Sequence, residues 1–597
     1  MKRLALALLA AAVPAPALAT AEPTPRAAPA AKPALLDGEQ RSRYREVLAA
    51  LRAEDWTGAA ARLDAMPAGP LHHPLRAELF LAKNSPEAPL DQLLALLAAA
   101  PDLPGAEQLA RLAARRGAVE TPALPAAQKL IWQGTQPRRA RPKSVRDDPA
   151  AAALDAAIQP LIVDNRPQAA EALLLAEEPR LGSEALAEFR QRIAWSYYIV
   201  GDDGAARRVA DLARSAGGEW ALQAAWTSGL AAWRQDDCRA AADAFATVGA
   251  AASDPELFAA GNYWAARAET RCKRPERVQQ RLRTAARLKE TFYGLLAARA
   301  LGIKAPGYAG LHDYRDAEWR PIADRPNVRA AIAWAELGED GLAGDHLRRE
   351  AEIAGPREHH ALLHLASDLA LTGTQFWLAH NAPKGAQVNP AARYPAPDWQ
   401  PSRGWRVDPS LAFAHALQES NFRTEAVSPA GAVGLMQVRP GTAGDMARKR
   451  GEPFAREQLA RPAMNLEYGQ SYIEHLRDDP ATGGLLPKVI AAYNAGPVPV
   501  AEWNARAIDR GDPLLYIESL PYWETRGYVP TVLRNYWIYE AQAGRLGPSR
   551  TALVQGLWPR FPGMTGASAV RMPDRTPIRV AGERPSSSAQ TSMTAYP

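Results

Sequence analysis

From about residue 37 to residue 372 the chain is dominated by Ala, Leu, Arg and Glu, with apolar residues at helical spacing and no sustained period-two alternation. A half-buried sheet needs alternation to separate its two faces, so this stretch is confined to helices that each bury one stripe. Helices in such number exceed what one core organises, and stacking them in sequence gives an elongated array. The expectation is a mainly α protein whose N-terminal part is an α-superhelical solenoid.

A repeat supports that reading. Asp202-Asp203-Gly204-Ala205-Ala206 recurs 34 positions later as Asp236-Asp237-Cys238-Arg239-Ala240, and a further 34 positions bring Cys272. Each is preceded by an Ala- and aromatic-rich helical pattern, and 34 residues is the period of tetratricopeptide-type helical hairpins. If each position is a turn inside a helix pair, stacking sets Cys238 and Cys272 on neighbouring turns, within reach of a bridge. Two buried free thiols are the alternative.

The N-terminus reads Met1-Lys2-Arg3, then an apolar run from Leu4 to Val13, then Ala17-Leu18-Ala19, the layout of a secretory signal peptide with an A-x-A cleavage site (1–19). Residues 20–36 form a Pro/Ala-rich tether, 37–388 the solenoid and linker helices, 389–404 (NPAARYPAPDWQPSRG) a Pro-rich boundary, 405–547 a compact motif-dense domain, and 548–597 a disordered tail rich in Pro, Ser and Gly. The Arg/Lys cluster within 134–149 reads as a solvated loop between helices. No later segment is apolar enough to span a bilayer and no Cys lies near the cleavage site to take a lipid, so a soluble exported protein is expected. A net charge of +6 from 71 Lys and Arg against 65 Asp and Glu is too thin over 597 residues for a nucleic-acid partner. With only two cysteines there is no structural zinc module, and His360 and His364, at i, i+4 without an intervening Glu, read as packed or solvated helix positions rather than as metal ligands.

Chemistry is concentrated in 405–547. In LAFAHALQESNF, from Leu411, Glu419 closes an otherwise apolar helix, where burial would raise its pKa toward that of a general acid. The glycine-bearing loop from Ala426 to Gln437 follows, containing Ser428 and ending in a lone amide suited to sugar hydroxyls and N-acetyl groups. Thr442 with Asp445 reads as a capping pair for the next helix. Further on stand Ala492-Tyr493-Asn494-Ala495-Gly496 and Glu524-Thr525-Arg526-Gly527-Tyr528-Val529. Read structurally, Glu524 and Arg526 form an ion pair between helices.

Glu419-Ser420, Gly434-Leu435-Met436-Gln437, the Tyr493-Asn494 block and the Glu524 block, in this order over about 110 residues, resemble the soluble lytic transglycosylase family of peptidoglycan-cleaving enzymes. The resemblance implies a lysozyme-like α+β catalytic domain behind a helical superhelix, and a periplasmic location. It implies that Glu419 is the sole catalytic acid/base, that Ser428 and Gln437 contact substrate, that Tyr493 with Asn494 lies in the active site, and that Glu524 lies near the glycan cleft. Two positions depart from the family pattern: Arg439 stands where an apolar residue is common, and His415 where an aliphatic residue is usual. Arg439 reads as exposed and His415 as a packed neighbour.

An ordinary glycosidase uses two carboxylates, and only one here has a motif around it. The family chemistry needs one. Glu419 protonates the oxygen between N-acetylmuramic acid and N-acetylglucosamine, the substrate's 2-acetamido group supports the developing cation, and Glu419 then accepts the C6 hydroxyl proton as that oxygen closes on C1. The product is a 1,6-anhydromuramoyl end, with no water consumed and no cofactor or metal. The alternatives are a hydrolytic muramidase, with Glu425 or Glu524 activating water, and a catalytically silent peptidoglycan-binding scaffold. The expected partners are glycan strands and, through the solenoid, cell-wall synthesis or division proteins.

Overall fold

The structure, a computed structural model, describes residues 34–303, 320–506, 508–545 and 547–574. The expected signal peptide, most of the tether and residues 575–597 lie outside these. Five helices come first among the described residues: α1 (Gly38–Arg52), α2 (Trp56–Asp64), α3 (His72–Leu81), α4 (Leu90–Ala99) and α5 (Ala106–Arg115). The repeat region follows as α6 (Pro149–Val163), α7 (Pro167–Glu177), α8 (Ser183–Ile199), α9 (Asp203–Arg214), α10 (Gly218–Arg234), α11 (Cys238–Ala251), α12 (Pro255–Arg271), α13 (Pro275–Ala286) and α14 (Phe292–Ala300). Beyond it are α15 (Pro326–Leu337), α16 (Asp340–Ile353), α17 (His359–Asp368) and α18 (Thr372–His380).

Hairpins α8/α9, α10/α11 and α12/α13 are the repeats seen in the sequence. The first two turns are built alike: the Asp202 side chain caps α9 by accepting from the Ala205 amide, and Asp237 caps α11 by accepting from the Ala240 amide, whereas α13 starts at Pro275 without a side-chain cap. The second helices start at Asp203, Cys238 and Pro275, so the structural repeat is 35 and then 37 residues rather than a strict 34. Cys238 consequently opens the second helix of one hairpin, while Cys272 caps the first helix of the next. The two are disulfide-bonded, with 5.5 Å between Cα atoms.

The helical array does not run as one line from residue 37 to 388. Tyr44 and Leu75 from the first three helices share a core with Trp334, Leu347 and Leu362 from α15–α17. The amides of Leu35 and Leu36 donate to Glu336 of α15, which also pairs with Arg41. Residues 116–147 then run without a helix across three neighbours. Ile131–Trp132 pairs antiparallel with Asn381–Ala382, Arg139 reaches Glu518 in a two-pronged ion pair, and the Lys143 carbonyl accepts from the Trp220 indole at 2.9 Å. Within the cluster 134–149, Arg141, Lys143 and Arg146 are exposed as a solvated loop requires, and Arg139 is the exception. Arg139 is drawn inside by a buried carboxylate.

The C-terminal domain comprises α19 (Pro409–Ser420), α20 (Pro440–Lys449), α21 (Pro462–Asp478), α22 (Leu486–Ala495), α23 (Pro497–Ala505), α24 (Pro513–Ser519), α25 (Trp523–Gln542) and α26 (Pro548–Val554). Its β content is slight: Val427 bridges Val433, Val433 bridges Val438, and Trp558–Pro559 pairs with Ala569–Val570. Its core is continuous with that of the repeats, since Phe292 stacks on Trp537 at 5.1 Å and Tyr198 shares a 2.6 Å hydrogen bond with Ser519. The Pro-rich stretch 389–404 is packed too, with a 3₁₀ turn at Pro390–Arg393 and Tyr394 buried. α20 starts at Pro440 with Arg439 as its N-cap, ahead of the expected Thr442–Asp445 pair.

The expectation of disorder from 548 onward fails for 548–574. Helix α26 forms there, Trp558 is fully buried against Tyr516 and donates to the Gly511 carbonyl, and Phe561 is buried beside them. A few large aromatic anchors hold this segment without any apolar period. Trp558→Ala should lower the unfolding free energy by about 3–5 kcal/mol, measured by urea denaturation; a change below about 1 kcal/mol would mean the segment does not support the domain.

Candidate active site

Helix α19 carries Glu419 into the site. Asp408 caps it by accepting from the Ser410 amide, Pro409 sits at its first position, and the helix stops at Asn421, whose φ of 51° is left-handed. Glu419 thus stands in the last turn, where the aligned carbonyls already disfavour a negative charge. Burial, aided by the charge of Glu524, raises its pKa to about 7, against the lowering effect of a hydrogen bond from Tyr528. That bond is short: Tyr528 Oη donates to Glu419 Oε1 at 2.6 Å. Tyr528 lies on α25, one turn after Glu524.

Facing α19 is the loop 426–438. Ser420 Oγ donates to the Leu435 carbonyl at 2.8 Å, and Tyr493 Oη of α22 donates to the Met436 carbonyl at 2.8 Å. Two more backbone groups of the loop meet Asn465 of α21, which is fully buried. Its Oδ1 accepts from the Met436 amide, while its Nδ2 donates to the Val433 and Leu459 carbonyls, all at 2.8 Å. Gly434 is required where it stands: its φ is +77°, and a Cβ there would lie 2.3 Å from Asn465 Nδ2 and 2.4 Å from the Leu459 carbonyl.

The expected site residues fall as follows. Gln437 takes a left-handed φ of 49° and uses its Nε2 within the loop, donating to the Ala426 and Gly434 carbonyls at 3.1 and 2.9 Å, so of its amide only Oε1 is left to accept from a ligand. Ser428 Oγ accepts from the Ala432 amide at 3.0 Å and shapes the same turn. Asn494 is the link between α22 and α25: its Nδ2 donates to Glu524 at 3.0 Å and its Oδ1 accepts from Thr525 Oγ1 at 2.6 Å. Tyr493 packs its ring 4.4 Å from that of His415. Glu425 and Arg439 are exposed.

Glu524 and Arg526 do not pair. Glu524 faces Asn494, whereas Arg526 lies 3.8 Å from the Trp195 ring of α8 and 5.0 Å from Trp523, buried between domain and repeats. The sequence reading assigned no role to Tyr528, although its position four residues after Glu524 places both on one helix face. It missed Asn465 altogether, because a single Asn in an apolar helix carries no motif. His360 and His364 lie on α17 in the other core, their Nε2 atoms 3.1 Å apart, and among the described residues no group of three or more ligand-type side chains could hold a metal.

Residues 400–514 match the transglycosylase SLT domain family. Over 134 residues the chain is 39% identical to the soluble lytic murein transglycosylase of Salmonella typhimurium, covering 22% of this chain and 20% of that protein. Over 132 residues it is 38% identical to the soluble lytic murein transglycosylase of Escherichia coli, with coverage of 22% and 20%. The matched stretch spans about one fifth of each relative. The crystal structure of the 70-kDa soluble lytic transglycosylase from Escherichia coli superposes with a TM-score of 0.53 at 18% identity, covering 88% of this chain and 99% of that one. An inactive mutant of lytic transglycosylase Slt from Pseudomonas aeruginosa gives 0.50 at 20% identity, with 84% and 80% coverage. At these identities the likeness extends to the fold: a helical superhelix leading into a lysozyme-like domain.

Asn465→Ala removes one acceptor and two donations from the loop, and should cost about 1–3 kcal/mol. Amide hydrogen exchange in 432–438 should accelerate by a corresponding factor, while unchanged exchange would show that other contacts hold the loop.

Proposed function

We propose that the domain around Glu419 is a peptidoglycan lytic transglycosylase, cleaving the β-1,4 bond between N-acetylmuramic acid and N-acetylglucosamine and leaving 1,6-anhydromuramoyl ends. One observation carries the reading: the Glu419 carboxyl, raised to about 7, is held by one oxygen to Tyr528, and Asn494 binds the neighbouring carboxylate of Glu524. A carboxyl with that pKa exists in both forms near neutral pH. It can give its proton to the leaving oxygen and afterwards accept one from the sugar's C6 hydroxyl.

The names of the relatives, murein transglycosylases, support the substrate class. In this reading Gln437 Oε1, Ser428, Asn494 and Glu524 face the glycan, and Tyr493 holds the loop by its Met436 carbonyl. The hydrolytic alternative needs a second carboxylate to activate water. Glu524 is tied to Asn494 and raises the Glu419 pKa by its charge, which suits an electrostatic helper better than a base. The protein works in the periplasm, where a Cys238–Cys272 bridge persists. The superhelix holds glycan strands or cell-wall synthesis and division proteins so that the domain cuts selected sites.

Two outcomes are expected with purified sacculi. Mass spectrometry should find products one water lighter than reducing muropeptides, and Glu419→Gln should lower their formation by about 10²–10⁴-fold; reducing ends would instead identify a hydrolase. Since the acid must be protonated in free enzyme, kcat/KM should fall as pH rises through about 7, and a flat profile to pH 9 would remove Glu419 from that role.

A further inference from the structure

His415 lies on α19 one turn before Glu419 and is completely buried. Its Nδ1 is 2.8 Å from Tyr528 Oη, the same hydroxyl that binds Glu419 Oε1 at 2.6 Å. Its Nε2 is buried with no hydrogen-bond partner among the described residues. The imidazole, hydroxyl and carboxyl therefore form a chain with one open end, at Glu419. Oε2 of Glu419 has no partner among the described residues either, but it is not one of the sealed polar atoms, and the side chain is partly exposed.

Proton counting limits what this chain can do. Burial holds the His415 pKa down at about 3, so near neutral pH the ring carries one N–H. On Nε2 that proton would be a buried donor with nothing to bind, whereas on Nδ1 it donates to Tyr528 Oη. A tyrosine hydroxyl has one proton. If Oη accepts from His415, its own proton is committed to Glu419 Oε1, which is then an acceptor whether or not Glu419 is protonated. The acid proton must sit on Oε2. In the opposite arrangement Tyr528 donates to Nδ1, and the Glu419 proton sits on Oε1 facing Tyr528, where it is of no use to a substrate.

We propose that His415 is a positioning residue: its Nδ1–H tautomer orients the Tyr528 hydroxyl toward Glu419 Oε1 and thereby keeps the acid proton on Oε2, the oxygen open to the cleft. This rests on the reading of Glu419 as acid/base. The groups that face Glu419 are Tyr528 and Glu524 from α25 and Tyr493 from α22, with His415 on its own helix; His415 faces Tyr528 and Tyr493. Among these Glu419 titrates near 7, while burial pushes both tyrosines well above their ordinary value.

The sign of the effect follows. Donation from His415 polarises the Tyr528 hydroxyl and strengthens its bond to the carboxylate more than to the neutral acid, so it lowers the Glu419 pKa. His415→Leu should raise that pKa, moving the falling limb of kcat/KM to higher pH by about half a unit, and should reduce the rate on the plateau by about tenfold, because the proton spends time on Oε1. His415→Asn keeps an N–H near the Nδ1 position and should restore limb and rate. In a Tyr528→Phe background, His415→Leu should change neither.

The direct test reads the tautomer in resting wild-type mature protein by ¹⁵N NMR of labelled histidine, with His415→Asn assigning the signal. A protonated Nδ1 is expected; a protonated Nε2 overturns the proposal even if His415→Leu fails to fold. A folded His415→Leu with an unshifted limb also overturns it, as does a shift that persists in Tyr528→Phe. The tautomer needs no substrate, so it is separable from the functional reading, which fails instead on reducing-end products.

Discussion

The carboxylate of Glu518 joins three parts of the molecule that the sequence keeps far apart. It is 1% exposed, accepts both arms of Arg139 from the extended 116–147 segment, at 2.5 and 3.1 Å, and accepts from Tyr293 of α14 at 2.6 Å. Tyr293 in turn accepts from the Trp264 indole of α12 at 2.9 Å. Removing one partner of such a pair leaves an unmatched charge in the interior, typically at about 3–5 kcal/mol. The C-terminal domain, repeats and extended segment therefore hold one another in place, and the domain and repeats share a core, which makes the assembly stiffer than two domains on a linker.

This matters to the chemistry because α25 begins four residues after the last residue of α24, and its first two turns carry Glu524 and Tyr528. Arg526, on the opposite side of the same turns, is held between Trp195 of the repeats and Trp523. Position and rotation of α25 are thus set from the superhelix side, while on its other side Glu524 meets Asn494 and Tyr528 meets Glu419. Glu419 depends on this arrangement for the hydrogen bond from Tyr528 that orients it. Its raised pKa arises from burial at a helix C-terminus near a second carboxylate, and Tyr528 limits the rise so that both protonation states stay within reach.

Much of this was legible in the linear sequence, for identifiable reasons. Helical spacing and the recurrent Asp-Asp turns are local signals, and they fixed the repeats, although the spacing drifts to 35 and 37 residues because the hairpins differ in length. Glu419, Tyr493 and Asn494 sit in short strings whose order is itself diagnostic. What was not legible depends on pairs distant in sequence. Asn465 looks like any polar residue on a helix until the loop folds over it, and Arg139 looks solvated until Glu518, 379 residues on, is buried beside it. Residues 548–574 look disordered because Trp558 and Phe561 pack as isolated anchors, and periodicity does not register anchors of that kind. Gln437, expected to meet substrate with its whole amide, gives half of it to the loop.

The central claim is that one carboxyl, working without a second, breaks the glycosidic bond by letting the sugar's own hydroxyl replace water. The measurement that bears on it most directly is cleavage of sacculi in H₂¹⁸O, followed by mass analysis of the newly formed muramoyl ends. Intramolecular closure incorporates no ¹⁸O, and that is the result expected. Incorporation of one ¹⁸O per cut would mean that water attacks and that Glu419 has a carboxylate partner, which would contradict the account.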